Sequence, residues 1–252
     1  MIGLRGKRAL VTGGSRGIGA ATAELLAESG VDVAIGYRSR HADADALAER
    51  LRTAYGVKVV ANAADISTRA GAEELVDRSA IALGGLDFFV GNAGIWPCDD
   101  VAFADMTDEQ WHRTMSENVN SVFWTTRAVI RRMADGGRIV LVSSTAGQRG
   151  EAFHADYASS KGAMISLVKS LAPELGRRGI TVNSVAPGWV DTEMCAEAFA
   201  GGGRERIAAA IPVGRVATPR DIAGPIVFLC SDLARHVTGE IVNVNGGSVL
   251  CG

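Results

Sequence analysis

Cysteine is scarce in this chain and follows no pattern. The 252 residues contain four, Cys98, Cys195, Cys230 and Cys251, and no two form a C-x-x-C pair. Neither a zinc site nor a disulfide framework can be read from such spacing. The histidines, His41, His112, His154 and His236, are equally dispersed, and no metal is expected. Charge of one sign is also lacking: 26 Lys and Arg face 28 Asp and Glu, a net charge of −2. That balance gives no support to a nucleic-acid binder or a polybasic membrane surface. No apolar run approaches the roughly 20 residues of a spanning helix. The opening stretch through Lys7-Arg8-Ala9-Leu10-Val11-Thr12 lacks signal-peptide anatomy, so a cytoplasmic location is expected. There is no internal repeat and no linker. Gly201-Gly202-Gly203 is the one low-complexity patch, and it reads as a loop.

What is present is apolar and regularly segmented. Apolar residues make up 47% and charged residues 21%, a globular composition, and the length can bury a substantial core without staples. Short β-branched or apolar runs predict strands at Arg8–Thr12, Val31–Tyr37, Val57–Ala61, Leu86–Val90, Arg138–Val142, Thr181–Val185 and Glu240–Val244. Helical periodicity predicts Ile18–Ser29, Ala44–Tyr55, Gly71–Leu83, Asp108–Met133 and Tyr157–Arg177 between them. Strand-helix alternation implies a parallel sheet of about seven strands with helices on both faces. Right-handed crossovers make it a doubly wound, Rossmann-type α/β fold. One domain over 1–252 is expected, with a flexible lid around 193–215.

Two groups of residues carry chemistry. Thr12-Gly13-Gly14-Ser15-Arg16-Gly17-Ile18-Gly19 follows the first strand and opens a helix. Glycines there let the backbone approach a pyrophosphate, and the helix N-terminus offers N–H groups and a positive dipole end. An acidic residue closing the second strand would hold an NAD ribose. Here the strand closes on Gly36-Tyr37-Arg38-Ser39-Arg40 without a carboxylate. Arg38 and Arg16 suit a 2′-phosphate, unless they are solvated surface charges. Asp65-Ile66, after the third strand, is placed beside an adenine, with a helix N-cap as the plainer role for Asp65.

The second group is Tyr157-Ala158-Ser159-Ser160-Lys161. The i,i+4 spacing sets Tyr157 and Lys161 on one helix face, and a nearby ammonium would lower the tyrosine pKa from about 10. Ser144 ends a buried strand 13 residues before Tyr157 and would orient a substrate oxygen, with Ser143 as its rival. Asparagine is unfavourable inside a helix, so of Asn118 and Asn120 one is expected to be held for a hydrogen bond, Asn120 fitting a surface role better.

At this point the chain resembles the short-chain dehydrogenase/reductase family over essentially its whole length. The matching pieces are Thr12-Gly13-x-x-x-Gly17-x-Gly19, Asp65, Asn92-Ala93-Gly94, Asn118, Ser144, Tyr157-x-x-x-Lys161, Asn183, and Pro187-Gly188 followed by Thr192. The resemblance implies a tetrad of Asn118, Ser144, Tyr157 and Lys161. Tyr157 would be the acid/base and Ser144 would polarise a carbonyl. Lys161 would lower the Tyr157 pKa and bind the nicotinamide ribose, and Asn118 would hold a relay water. Asn92, Ala93 and Gly94 would line the cofactor ribose, and Val190 and Thr192 would meet the carboxamide. Arg16 and Arg38 go with NADP(H). Walls for the substrate would include Trp96, Gln148, His154 and Trp189, with Ile95, Ala146, Phe153 and Met194 nearby. Gly91 and Asn245 stand where the family usually has asparagine and aspartate.

The resulting expectation is an NADP(H)-dependent carbonyl reductase acting on a small ketone or alcohol. The rivals are an NAD-linked alcohol or polyol dehydrogenase, a 3-oxoacyl-thioester reductase whose carrier would need a basic patch such as Arg127, Arg131 and Arg132, and a cofactor-binding regulatory protein without catalysis. A homotetramer is expected from the family's helix pairing, with the tail Ser248–Gly252 at an interface.

Overall fold

The computed structural model describes residues 3–250; Cys251 and Gly252, part of the expected interface tail, lie outside them. The strands are β1 (Arg8–Thr12), β2 (Asp32–Tyr37), β3 (Val59–Ala63), β4 (Leu86–Gly91), β5 (Met133–Val142), β6 (Thr181–Pro187) and β7 (Ile241–Val244). They form one parallel sheet in the order β3-β2-β1-β4-β5-β6-β7. The main helices are α1 (Gly17–Glu28), α2 (His41–Tyr55), α3 (Arg69–Leu83), α4 (Asp108–Met115), α5 (Ser121–Arg132), α6 (Thr145–Arg149) and α7 (Ala155–Leu175). After β6 come α8 (Ala196–Phe199), α9 (Gly203–Ala210) and α10 (Pro219–Cys230). No helix among the described residues is long and apolar enough to cross a membrane.

Side-chain alternation builds two cores, one on each sheet face. Val140 and Val142 of β5 join Ala9 and Val11 of β1 in the core beneath α1, α2 and α10. Ile139 and Leu141 join Leu10 and Phe89 in the core beneath α3, α5 and α7. Each fully buried leucine or phenylalanine contributes roughly 1.5–3 kcal/mol.

The strand order reverses between β1 and β4, and there their ends are stitched together. Thr12 Oγ1 accepts from the N–H groups of Asn92 (3.0 Å) and Ala93 (3.1 Å). Asn92 Nδ2 donates to the carbonyls of Thr12 and Gly13. Such a switch point leaves a crevice at the carboxyl ends of the strands.

Many element ends differ from the sequence reading by one to three residues, and three differences have a visible basis. β3 starts at Val59 rather than Val57, because the Lys58 N–H is taken by Asp32 Oδ1 at 2.8 Å and the ladder begins after it. The expected helix 108–133 is two helices separated by a π-helical turn at Ser116–Asn120. β5 reaches back to Met133 through an irregular register against β4.

Candidate active site

A cleft of about 1090 Å3 opens over the switch point. It runs from the glycine loop and the end of β2, past Asn92–Gly94, to Ser144, Tyr157, Lys161 and the segment Pro187–Cys195.

At its nucleotide end the loop geometry fits a cofactor. Gly13 has φ +61°, and a Cβ there would stand 3.0 Å from Ala93 Cα. Gly19 lies under the loop, off the cleft wall, where a Cβ would sit 2.2 Å from the Gly13 carbonyl oxygen. The N-terminus of α1 has no side-chain cap, so its first-turn N–H groups remain for an anion. Ser15, Arg16, Gly17, Ile18, Arg38, Ser39, Arg40, Asp65 and Ile66 all line this end. Asp65 is not the cap of α3, since Thr68 accepts from the Gly71 N–H. Asp65 instead closes a turn, Oδ1 accepting from Ser67 N–H at 3.1 Å and Ser67 Oγ at 2.6 Å. Those bonds hold its carboxyl below the usual range, Ser67 being the largest influence. The open helix end, the turn held by Asp65 and the guanidinium groups suit an anionic dinucleotide cofactor.

At the other end, Tyr157 and Lys161 share a face of α7. Lys161 Nζ donates to the Val142 carbonyl at 2.9 Å and lies 5.8 Å from the Tyr157 ring centroid. Burial pulls its ammonium down to about 8. Burial also pushes the half-buried Tyr157 hydroxyl up to about 12, opposed by its hydrogen bond with Ser144. Desolvation is the largest influence on this hydroxyl and Ser144 the one that opposes it. At neutral pH Tyr157 is a protonated donor.

The two serines separate cleanly. Ser143 Oγ donates to the Lys161 carbonyl at 2.8 Å, tying β5 to α7. Ser144 caps α6, Oγ accepting from the Ala146 N–H at 3.2 Å, and turns to Tyr157. The two asparagines separate as well: Asn120 is exposed and Asn118 is fully buried. Asn118 Oδ1 accepts from the Ile95 N–H at 2.7 Å, while Nδ2 donates to the Ile95 carbonyl (2.9 Å) and Ser160 Oγ (3.0 Å). Both amide protons are taken up within the fold, which leaves oxygen lone pairs as the groups that would hold the expected relay water. The side chain clamps the loop segment after Gly94 to α7.

Of the substrate walls, Trp96, His154 and Trp189 come together. Trp96 lies 5.3 Å from His154 and 5.7 Å from Trp189, centroid to centroid. Trp189 continues to Phe199 on α8 at 6.0 Å. His154 is buried, with Nε2 3.2 Å from Asp100 Oδ1. Gln148 is corrected: it is off the cleft wall, donating through Nε2 to Asn243 Oδ1 at 2.6 Å, because the turn of α6 aims it at β7. The expected lid is a 3-10 turn (Glu193–Cys195), α8 and α9, cornered at Gly201 and Gly202 with φ +56° and +81°. Pro187, Gly188, Val190 and Thr192 lead into it along the cleft.

A family model described as "Enoyl-(Acyl carrier protein) reductase" matches residues 13–248. L-rhamnose 1-dehydrogenase (NAD(P)(+)) of Azotobacter vinelandii is 40% identical over 248 residues, 96% of each chain. The 3-oxoacyl-(acyl-carrier-protein) reductase of Escherichia coli is 41% identical over 244 residues, 96% of this chain and 97% of its own. The chain is a short-chain dehydrogenase/reductase. Among solved structures, a short-chain dehydrogenase from Burkholderia cenocepacia in complex with NADP superimposes with a TM-score of 0.91 at 38% identity, covering 97% of this chain and 98% of that one.

Several residues of this short-chain dehydrogenase/reductase cleft escaped the sequence reading. Arg40, Glu117 and Asp100 line it, and their signal was only charge near a motif. Gly147 was missed too: a Cβ there would lie 2.6 Å from the Lys161 carbonyl carbon, so it sets how closely α6 meets α7. Cys98, Asp99 and Glu197, all exposed, bring potential ligand atoms within 4.8 Å of one another. Cys98 Sγ donates to Glu197 Oε2 at 2.8 Å, joining the loop after β4 to α8.

Proposed function

We propose that this oxidoreductase is an NADP(H)-dependent carbonyl reductase interconverting a ketone and a secondary alcohol. The observation that carries the reading is one cleft with Ser144, Tyr157 and Lys161 at one end and Arg16, Arg38 and Arg40 at the other. A bound nicotinamide cofactor would supply the hydride. Ser144 orients and polarises the carbonyl oxygen, and protonated Tyr157 delivers a proton to the forming alkoxide. The Lys161 ammonium would stabilise the phenolate left on Tyr157 and would help hold the nicotinamide ribose. Asn118 acts by positioning α7. Trp96, Trp189 and His154 form the substrate wall, which suits a cyclic or aryl ketone carrying a further oxygen.

A carrier-bound thioester would need a basic patch, and two of its candidate arginines are engaged by pairs within this chain. Arg127 is held by Glu73 and stacks over Phe123 and Trp124, and Arg132 pairs with Asp77. One observation favours an NAD-linked dehydrogenase as the second reading: Glu117 pairs with Arg38, which puts a carboxylate near the adenosine ribose. Titration with NADPH and with NADH, followed by nicotinamide fluorescence, separates the two. NADPH binding tighter than NADH, weakened at least tenfold by Arg38→Ala, is the expected result. Preference for NADH unaffected by the substitution would move the assignment to the dehydrogenase.

We further infer a cytoplasmic homotetramer built on the helices that carry Phe123 and Trp124. Light scattering of a monomer-sized particle would overturn that.

A further inference from the structure

The guanidinium groups at the nucleotide end are all paired. Arg38 meets Glu117. Arg16 and Arg40 share one partner: Glu193 Oε2 accepts from Arg16 Nη1 and from Arg40 Nη2, the latter at 2.9 Å. Arg16 precedes α1 and Arg40 precedes α2. Glu193 comes from the far side of the cleft, opening the turn that leads into α8. The side chains of Arg16, Arg40 and Glu193 are 52%, 49% and 59% exposed, and ion pairs so exposed are weak and exchangeable.

Two guanidinium groups from separate elements converging on one anionic oxygen form a seat for a multi-oxygen anion. We propose that Arg40 joins Arg16 as an arm of the 2′-phosphate seat, and that Glu193 fills this seat until the 2′-phosphate displaces it. The inference rests on the NADP(H) reading above. A phosphate brings about −1.5 to −2 charge and three acceptor oxygens against one carboxylate charge, so it wins the exchange. The competition lowers apparent affinity by the fraction of time the seat is filled. A ribose with a free 2′-hydroxyl cannot displace Glu193. Displacement also cuts the tie between the nucleotide half and the Glu193–Phe199 segment, so the same event that reads the cofactor frees the cover over the substrate end.

The test is calorimetric titration of the full chain with adenosine 2′,5′-bisphosphate and with adenosine 5′-monophosphate, in wild type, Glu193→Gln and Arg40→Ala. Hydrogen exchange of residues 193–199 is followed alongside. Glu193→Gln is expected to bind the bisphosphate about three- to tenfold tighter and the monophosphate unchanged. Arg40→Ala is expected to bind the bisphosphate about tenfold weaker, again with the monophosphate unchanged. Bisphosphate speeds exchange at 193–199 in wild type and leaves the Glu193→Gln rate unaltered. Unchanged bisphosphate affinity in either variant, or equal changes for both nucleotides, overturns the inference. Wild type preferring the bisphosphate with unresponsive variants overturns this inference alone. Wild type binding both nucleotides equally overturns it together with the NADP(H) reading.

Discussion

Lys161 Nζ donates to the carbonyl of Val142 at 2.9 Å, which joins the helix bearing Tyr157 to the end of the strand bearing Ser144. The bond anchors an ammonium that burial otherwise disfavours, since Lys161 titrates at about 8 instead of 10.5. Below pH 8 the folded chain carries the whole desolvation penalty, about 3 kcal/mol. Between about 8 and 10.5 the unfolded chain holds more protons on this residue, so stability rises with pH through that window.

Replacing Lys161 by Met follows from this. The variant loses one hydrogen bond, about 1 kcal/mol, and escapes the larger penalty. Lys161→Met is expected to gain about 1–2 kcal/mol at pH 7 while losing oxidoreductase activity. Its advantage should shrink as pH rises from 8 to 10. Urea denaturation at pH 7 and pH 10 checks it; a less stable variant at pH 7 would show that the bond outweighs the desolvation.

The close contact of α6 and α7 gives a second prediction. A methyl on residue 147 would meet the Lys161 carbonyl carbon at 2.6 Å and the Gly162 nitrogen at 2.8 Å, whereas one on residue 162 meets only the Gly147 carbonyl oxygen, at 3.3 Å. Gly147→Ala should therefore cost about 1–3 kcal/mol through forced separation and weaken nicotinamide-cofactor binding as Lys161 shifts. Gly162→Ala should be near neutral, the helix-propensity gain of about 1 kcal/mol offsetting the tighter contact. Thermal melts of the two variants make the comparison, and equal losses would refute the steric account.

The sheet and the chemical centre were legible because both are local patterns. Strand alternation and the glycine loop announce themselves over a few residues, and Tyr157 and Lys161 share a face by spacing alone. Gln148 was misplaced because a five-residue helix turns it toward Asn243, and no periodicity specifies that direction. Arg40 and Glu193 are 153 residues apart, so only the closed fold reveals their pairing. The burial of the Tyr157 hydroxyl was not legible for a related reason: charge proximity can be read from spacing, but burial depends on everything packed around the ring.

Asn245, an amide where the family usually has aspartate, gives a third prediction. Its Nδ2 donates to the Val249 carbonyl and its Oδ1 accepts from the Gly247 N–H, both at 2.9 Å. An aspartate keeps the second bond and sets two acceptors against each other at the first. Asn245→Asp should cost about 1–3 kcal/mol, read as a lower urea midpoint with unchanged slope. No loss would mean that the closing turn has another way to satisfy Val249.

Gly91 stands where the family usually has asparagine, and the space a side chain would need belongs to Leu141. A Cβ on residue 91 would lie 2.7 Å from Leu141 Cδ2, and the two residues are partners across β4 and β5. Leu141 is fully buried, so it cannot swing into solvent. Gly91→Ala alone should cost about 1–3 kcal/mol by overpacking. Leu141→Val alone should cost about 1 kcal/mol, the scale of removing one buried methylene. Together the added methyl occupies the room the smaller side chain releases, so the double variant should be more stable than the sum of the two losses by about 1 kcal/mol or more. Chemical denaturation of all four proteins closes the cycle. Strict additivity would mean that backbone adjustment, not Leu141, accommodates a side chain at residue 91.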